Sequence, residues 1–434
     1  MSYEEKGMIS RRMFEKAKKC LPGGVTYVFR YIEPYPFYVV KARGSRLWDV
    51  DGNKYTDYWT GHGAVLMGHG YAPVIEAVKD QLDYGAHFGF SHEWEVKWSE
   101  QICKMIPSSE MVRPTNSGTE ANMYVIRLAR AHTGRSKIGK FEGHWHGGYD
   151  ALHKAVGYPF DKPSSLGLTE GVSGGTVILP FNDLNGVRDR IKGENLACII
   201  LEPIMGASGF ITPENDFLKD LRELCDDKGI LLVFDEIITG FRLQGGAQKF
   251  YGVKPDLTTL GKIVGGQYFP AGALCGRADI MEKIDQIKYP NFYERSFHGG
   301  TYTGNPLVAR AGYTLLRELE RRGGEIYPYL SKLGKRVRDG LVDIFEEKEV
   351  QAYVTGEESM FAIHFTKERP KDGLTAERTK DLSLTKALFT FMLNHNIIYL
   401  SPKTAHLFIS VSHSREDIDR FLSLTEEFVN KLNR

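Results

Sequence analysis

The sequence predicts an α/β protein: a large domain with a mixed, mostly parallel sheet and a smaller α+β domain. Three observations carry this. From about residue 71, short apolar runs of strand length alternate with helical patterns, as in layered α/β folds. After about residue 320 the pattern shifts to a charged helix followed by several strand-like runs. The 434 residues are also too many for one ordinary core, about two or three domains being the soft prior. We therefore expect an N-terminal segment 1–70 that joins the small domain, a large domain 71–320 and a C-terminal small domain 321–434.

The elements follow in order. Residues 5–20 carry apolar side chains at loose helical spacing and end at Leu21-Pro22-Gly23-Gly24. A hairpin pattern covers 37–58, with Asp51-Gly52 as its turn marker. Helices are expected over 71–84, 93–105 and 119–132. Strands are expected at Lys137–Phe141, Thr176–Leu179, Ala197–Leu201 and Ile230–Phe234. In the last third a helix is expected at Tyr329–Lys348 and strands at Met360–Phe365, Asn396–Leu400 and Leu407–Val411. The capping box Ser414-x-x-Asp417 opens a final helix with the apolar stripe Ile418, Phe421, Leu422, Phe428, Val429, Leu432.

Composition narrows the function classes. Lys plus Arg number 56 against 55 Asp plus Glu, so no basic excess points to nucleic acid or an anionic membrane. No apolar run approaches the roughly 20 residues of a membrane span, and the charged N-terminus lacks a secretory h-region. Five scattered cysteines without metal spacing read as reduced thiols, so a cytoplasmic enzyme without a metal site is expected.

The chemistry concentrates between Gly229 and Gly266. The apolar run Ile230–Phe234 ends in two carboxylates, Asp235 and Glu236, and Lys262 follows in Thr258-Thr259-Leu260-Gly261-Lys262. Ligands of open α/β sheets bind outside the carboxyl ends of strands, where Asp235 would stand. An acid there and a lysine in a small-residue loop suit pyridoxal phosphate (PLP): the amine takes the cofactor aldehyde, and the carboxylate keeps the pyridine nitrogen protonated. Taken alone, a solvated lysine and a helix-capping aspartate would explain the same residues. The stretch Asn116-Ser117-Gly118-Thr119-Glu120 before an amphipathic helix offers hydroxyls and free N–H groups to a phosphate, or simply an N-cap.

Seven ordered motifs then carry a resemblance: Asn116–Ala121, Phe141–Gly147, Leu201-Glu202-Pro203, Phe234-Asp235-Glu236, Thr239-Gly240-Phe241-Arg242, Thr259–Lys262 and Gly300–Pro306. The chain resembles the class III PLP-dependent aminotransferases over nearly its whole length, and within them the glutamate-1-semialdehyde 2,1-aminomutase branch. The resemblance implies the PLP-dependent transferase fold (fold type I), with pyridoxamine phosphate as the alternate cofactor form. It makes Lys262 the Schiff-base lysine and proton shuttle, and Asp235 the partner of the pyridine nitrogen. Ser117, Gly118 and Thr119 would hold the phosphate. Trp145 would stack on the ring where the family has tyrosine or phenylalanine, unless it is a core aromatic. Glu202 would lie near the cofactor or cap a loop. Thr301 would reach the phosphate of a neighbouring subunit, which implies a homodimer with shared active sites. Arg30 matches a carboxylate-binding arginine, a task that suits a guanidinium fork; His144 and His146 flank the stacking residue, and Arg242 reads as structural.

The pattern departs from the aminomutase where substrate would sit. Thr26-Tyr27-Val28-Phe29-Arg30 replaces a small polar segment, and His62 stands where a tryptophan is usual. The run Tyr399–His406 lacks the expected glutamate. Tyr27, Arg30 and His62 are thus candidate substrate residues. The first expectation is an aminotransferase exchanging amino groups between an amino acid, bulky or β-amino, and an oxo acid. The alternative is the aminomutase, an isomerase that moves the amino group within one molecule. A PLP-binding protein without turnover, a racemase and a decarboxylase share the same cofactor shell. The stretch 157–175 is a candidate lid.

Overall fold

The computed structural model describes residues 3–399 and 405–432. They form two compact units: one of Met1–Tyr71, Pro328–Arg369 and Thr379–Arg434, the other of Ala72–Tyr327 and Pro370–Arg378. The return of Pro370–Arg378 to the second unit has no signal in the sequence. It is held there by a hydrogen bond from Asn182 Nδ2 to the Lys371 carbonyl (2.7 Å).

The second unit is built on a seven-stranded sheet. Its spatial order is Met111–Thr115, Gly272–Gly276, Leu257–Gly261, Leu231–Asp235, Leu196–Leu201, Lys137–Phe141, Thr176–Leu179. Only Gly272–Gly276 runs against its neighbours; the other pairings are parallel. The parallel strands are buried on both faces, which is why they read as continuous apolar runs rather than alternating ones. On one face Phe141, Leu201 and Phe234 join helix residues Leu218, Leu221 and Leu224. On the other, Ile138, Ile200 and Val233 pack with Val125, Leu128 and Ala129 of the helix Gly118–Thr133. Each such side chain contributes about 1.5–3 kcal/mol by leaving water.

Expected helices appear at Ala72–Tyr84, Glu93–Met105 and Gly118–Thr133. Three strands were not foreseen: Met111–Thr115, Leu257–Gly261 and Gly272–Gly276. Their residues (a proline, two threonines, paired glycines) hide a strand from apolar counting.

The first unit carries a four-stranded sheet, in which Ile397–Ile398 pairs parallel with Lys54–Asp57, and a three-stranded antiparallel sheet. The helix expected from Tyr329 instead begins at Pro306 and runs to Glu347. The unit boundary falls inside it. The capping box is realised: Ser414 N donates to Asp417 Oδ2 (3.1 Å) and Asp417 N to Ser414 Oγ (3.3 Å). The stripe of that last helix is buried at Ile418, Phe421, Phe428 and Val429, while Leu432 is exposed. The last strand is Ala405–Phe408, slightly earlier than expected. The expected glutamate gap at Leu400–Thr404 lies outside the described residues.

Candidate functional site

Six strands of the second unit run the same way and end along one edge of the sheet. The helix Gly118–Thr133, the loop after Lys137–Phe141, Glu202, Asp235 and Lys262 follow or close them. This is where an open α/β sheet binds ligands.

Asp235 is the last residue of its strand, in register with Thr259 of the neighbouring strand. Its Oδ2 accepts hydrogen bonds from His146 Nδ1 (2.7 Å) and Asn122 Nδ2 (2.8 Å), and its Oδ1 from the Ile237 N–H (3.1 Å). Asn122 is in turn fixed: Oδ1 accepts from Thr259 Oγ1 (2.7 Å) and Nδ2 also donates to the His146 carbonyl (3.0 Å). A carboxylate has about four acceptor positions, so Oδ1 keeps capacity for one more donor. Burial holds His146 below the usual histidine range, against the pull of Asp235, so His146 is neutral with its proton on Nδ1. Asp235 is therefore a buried carboxylate with no cationic hydrogen-bond partner among the described residues. Such a group is costly unless a cation meets it. A protonated pyridine nitrogen suits Asp235 in charge and in hydrogen bonding.

The adjacent carboxylate has the opposite design. Glu236 accepts from Thr239 Oγ1 (2.9 Å), Ala247 N (2.5 Å), Gln248 N (3.2 Å) and Gln248 Nε2 (2.9 Å). Its lone pairs are spent inside the fold. It is a structural residue.

Lys262 follows Gly261 at the head of the single turn Lys262–Gly265. Its φ is +51°, a left-handed conformation that costs a non-glycine residue on the order of 1 kcal/mol. Its amine has no hydrogen bond or ion pair among the described residues. Burial pushes its pKa down to about 8, opposed by the charges of Asp235 and Glu202 and helped by Arg242. Ile237 gathers these parts: a Cβ on Gly118 would come within 2.5 Å of it and one on Gly261 within 3.0 Å. Only glycines let the helix start, the lysine turn and the Asp235 strand end converge on that side chain.

At the helix start, Ser117 is the N-cap and its Oγ accepts from Glu120 N (3.1 Å). The capping reading and the phosphate reading coexist, because the N–H groups of Gly118 and Thr119 have no acceptor within the helix. A Cβ on Gly147 would meet Thr119 Oγ1 at 2.2 Å, and one on Gly272 the Ser117 carbonyl at 2.4 Å, so the cup is walled by bare backbone. Glu120 belongs to the wall, accepting from Asn116 N (2.6 Å) and Nδ2 (3.3 Å).

Trp145 is 39% exposed, so it is no core aromatic; its ring meets His153 edge-on at 5.4 Å. The Trp145 backbone N–H donates to Glu202 Oε1 (2.8 Å), and Gly206 N donates to Oε2 (3.0 Å). Burial and the Asp235 charge push Glu202 up to about 8. Glu202 N donates to His144 Nδ1 (3.0 Å), which fixes that neutral ring as the Nε2–H tautomer. Thr301 is exposed, while its neighbour Thr303 Oγ1 accepts from Asn116 Nδ2 (3.3 Å) beside the cup. Arg242 is fully buried, its pKa lowered to about 9 by burial.

Arg30, Tyr27 and His62 belong to the first unit. Arg30 is exposed and donates to Thr26 Oγ1 (2.6 Å). His62 lies on Trp59 (ring centroids 4.0 Å) and beside Tyr27 (5.4 Å). It sits in a left-handed turn: Thr60, Gly61, His62 and Gly63 have φ of 46°, 59°, 60° and 76°. Asp57 Oδ1 caps that turn at Trp59 N (2.8 Å) and Thr60 N (2.9 Å). The stretch 157–175 is mostly exposed, Leu166 fully so.

Sequence reasoning missed Asn122 and Thr259, and left His146 among weak candidates. A buried helix asparagine facing a threonine in an otherwise apolar strand was the available signal, since buried polar groups need partners.

Comparison with known proteins defines the class. The family model "Aminotransferase class-III" matches residues 28–423, and the chain belongs to that family of PLP-dependent enzymes. Within it the chain resembles the glutamate-1-semialdehyde 2,1-aminomutase branch. It is 40% identical over 428 residues to the glutamate-1-semialdehyde 2,1-aminomutase of Methanosphaera stadtmanae, covering 98% of each chain. Among solved structures it is similar to an omega-transaminase from Sphaerobacter thermophilus (32% identity, TM-score 0.92, covering 100% of this chain and 99% of that one). It is also similar to a β-phenylalanine aminotransferase from Variovorax paradoxus (31%, TM-score 0.89, 99% and 96%).

Proposed function

We propose that this chain moves an amino group within one molecule, as a glutamate-1-semialdehyde 2,1-aminomutase. The observation that carries it is full-length similarity, at 40% identity, to a relative of that name. The reading takes 4-amino-5-oxopentanoate to 5-amino-4-oxopentanoate. PLP, when bound, supplies the aldehyde that takes up amino groups and the ring that accepts electrons. This chain's residues do the rest. Lys262 holds the cofactor and moves protons at the reacting carbon, its lowered pKa making free amine available near neutral pH. Asp235 keeps the ring nitrogen protonated, and Asn122 and His146 aim the carboxylate. Ser117, Gly118 and Thr119 take the phosphate, Trp145 covers the ring face, and Glu202 ties that loop to the next strand. By the resemblance, Arg30, Tyr27 and His62 are the candidate substrate residues.

A second reading, an aminotransferase for bulky or β-amino acids with an oxo-acid acceptor, is favoured by two observations. Tyr27, Phe29, Arg30 and His62 stand in place of the small polar aminomutase segment and its tryptophan, and the chain is 31–32% identical to two solved transaminases. Incubating the holoenzyme with 4-amino-5-oxopentanoate alone separates the readings. Formation of 5-amino-4-oxopentanoate without an oxo acid supports the aminomutase. No product there, together with amine turnover that requires 2-oxoglutarate or pyruvate, refutes it in favour of the aminotransferase.

In this reading Ala72–Tyr327 is the catalytic unit and the working form is a cytoplasmic homodimer with shared sites. Exposed Tyr84, Phe90, Ile287, Phe292, Tyr293 and Tyr302 support a second copy, being large apolar side chains of this unit that a partner would cover. Thr301 lies beside Tyr302 and reaches the partner's phosphate. No helix among the described residues is long and apolar enough to cross a membrane.

A further inference from the structure

Lys140 is a fully buried lysine that the reaction does not use. It stands on the strand Lys137–Phe141, on the same face as Ile138, which packs in the core beside the helix Gly118–Thr133. Its amine forms no ion pair among the described residues. Instead it donates to two carbonyls, His144 O (3.0 Å) and Lys154 O (2.8 Å). A leucine would fill this place without the cost of burying an amine. The two carbonyls explain the lysine. They stand at the two ends of one loop, whose neck is also closed by Gly143 N donating to Ala155 O (2.8 Å). Between those ends lie Trp145 and His146, the latter bonded to Asp235.

We propose that Lys140 is a positioning residue: its amine staples the neck of the loop 144–154 and thereby fixes Trp145 over the cofactor ring and His146 against Asp235. The inference rests on the cofactor roles of Trp145 and Asp235 given above. The staple works in either charge state, because a neutral amine already carries the two N–H groups that the carbonyls take. Burial holds the amine's pKa near 7, with Glu202 and Glu142 pulling it upward. The loop has other ties, among them Glu202 N to His144 Nδ1 and Thr176 Oγ1 to Ala151 O (2.6 Å). These hold its first residue and its middle. Lys140 hydrogen-bonds both ends through one side chain.

The test is Lys140→Met, which keeps the volume and removes both donors. In the apoprotein, amide hydrogen exchange across 144–154 should speed up about tenfold, while the strand Leu231–Asp235 keeps its protection. The dissociation constant for pyridoxal phosphate should rise on the order of tenfold, as when a supporting hydrogen bond behind a bound group is lost. Trp145 emission should lose part of its quenching by bound cofactor. Lys140→Gln, which reaches one carbonyl, should fall between, and it serves with the same readouts if the methionine variant does not fold. Loop exchange and cofactor affinity both within about twofold of wild type would overturn the proposal. So would a loosened loop with unchanged affinity. Failure of the wild-type protein to bind pyridoxal phosphate would instead remove the reading on which the inference rests.

Discussion

The lowered pKa of Lys262 makes a quantitative prediction that needs no substrate. With a pKa of about 8, roughly a tenth of the amine is free at pH 7 and half at pH 8. An ordinary lysine, with a pKa of about 10.4, has fewer than about one free amine in a thousand at pH 7. Capture of pyridoxal phosphate by the apoprotein, trapped with borohydride and located by peptide mass spectrometry, should therefore be on the order of a hundredfold faster at pH 7 than that of a reference lysine. The rate should rise about tenfold from pH 6 to 7, bend near pH 8 and level off above pH 9. Dividing by the rate of a model amine per unit of its free base at each pH removes the cofactor's own titrations. Glu202 is among the charges that raise the amine's pKa. Glu202→Gln removes it and should move the bend to lower pH. A rate that climbs steadily through pH 10, or a bend that Glu202→Gln moves upward, would refute the reasoning.

Further predictions follow from the same geometry. Asp235→Asn should leave the melting temperature nearly unchanged and lower turnover on the order of 10²–10³-fold, measured by steady-state kinetics, because it removes a preorganised charge. Glu236→Gln should do the reverse: thermal unfolding should show a loss of about 2–3 kcal/mol from the two bonds disrupted where an NH2 replaces one carboxylate oxygen, with cofactor affinity retained in the folded fraction. Gly118→Ala should destabilise by about 1–3 kcal/mol despite alanine's higher helix propensity, because its Cβ meets Ile237 Cδ1 at 2.5 Å. Ile237→Val in the same chain should restore part of that loss, read from denaturant midpoints.

Much of this was legible before the structure. The strand that ends in Asp235 announced itself because parallel strands are buried on both faces and stay apolar along their length. The helix start at Ser117 was legible because such a start needs a small cap whatever else it does. The strands Leu257–Gly261 and Gly272–Gly276 were not, since Thr258, Thr259 and Gly272 are there for close approach and hydrogen bonding rather than apolar filling. The network behind Asp235 was hidden for another reason. Asn122, His146 and Thr259 are distant in sequence and meet only when three strands and a helix are assembled. Adjacent Asp235 and Glu236 look equivalent in sequence, and only their partners separate a site residue from a structural one. Lys140 was not legible as a buried group, because nothing in the sequence of Lys137–Phe141 says which of its two lysines turns inward.

In the proposed function Lys262 is both the attachment point and the proton carrier. Lys262→Ala measures it most directly. The variant should still bind pyridoxal phosphate through the helix start and Asp235, yet give no borohydride-stable adduct. Its turnover should fall by at least about 10³-fold, with partial recovery on adding methylamine. A stable adduct on another lysine, or turnover near wild type, would contradict it.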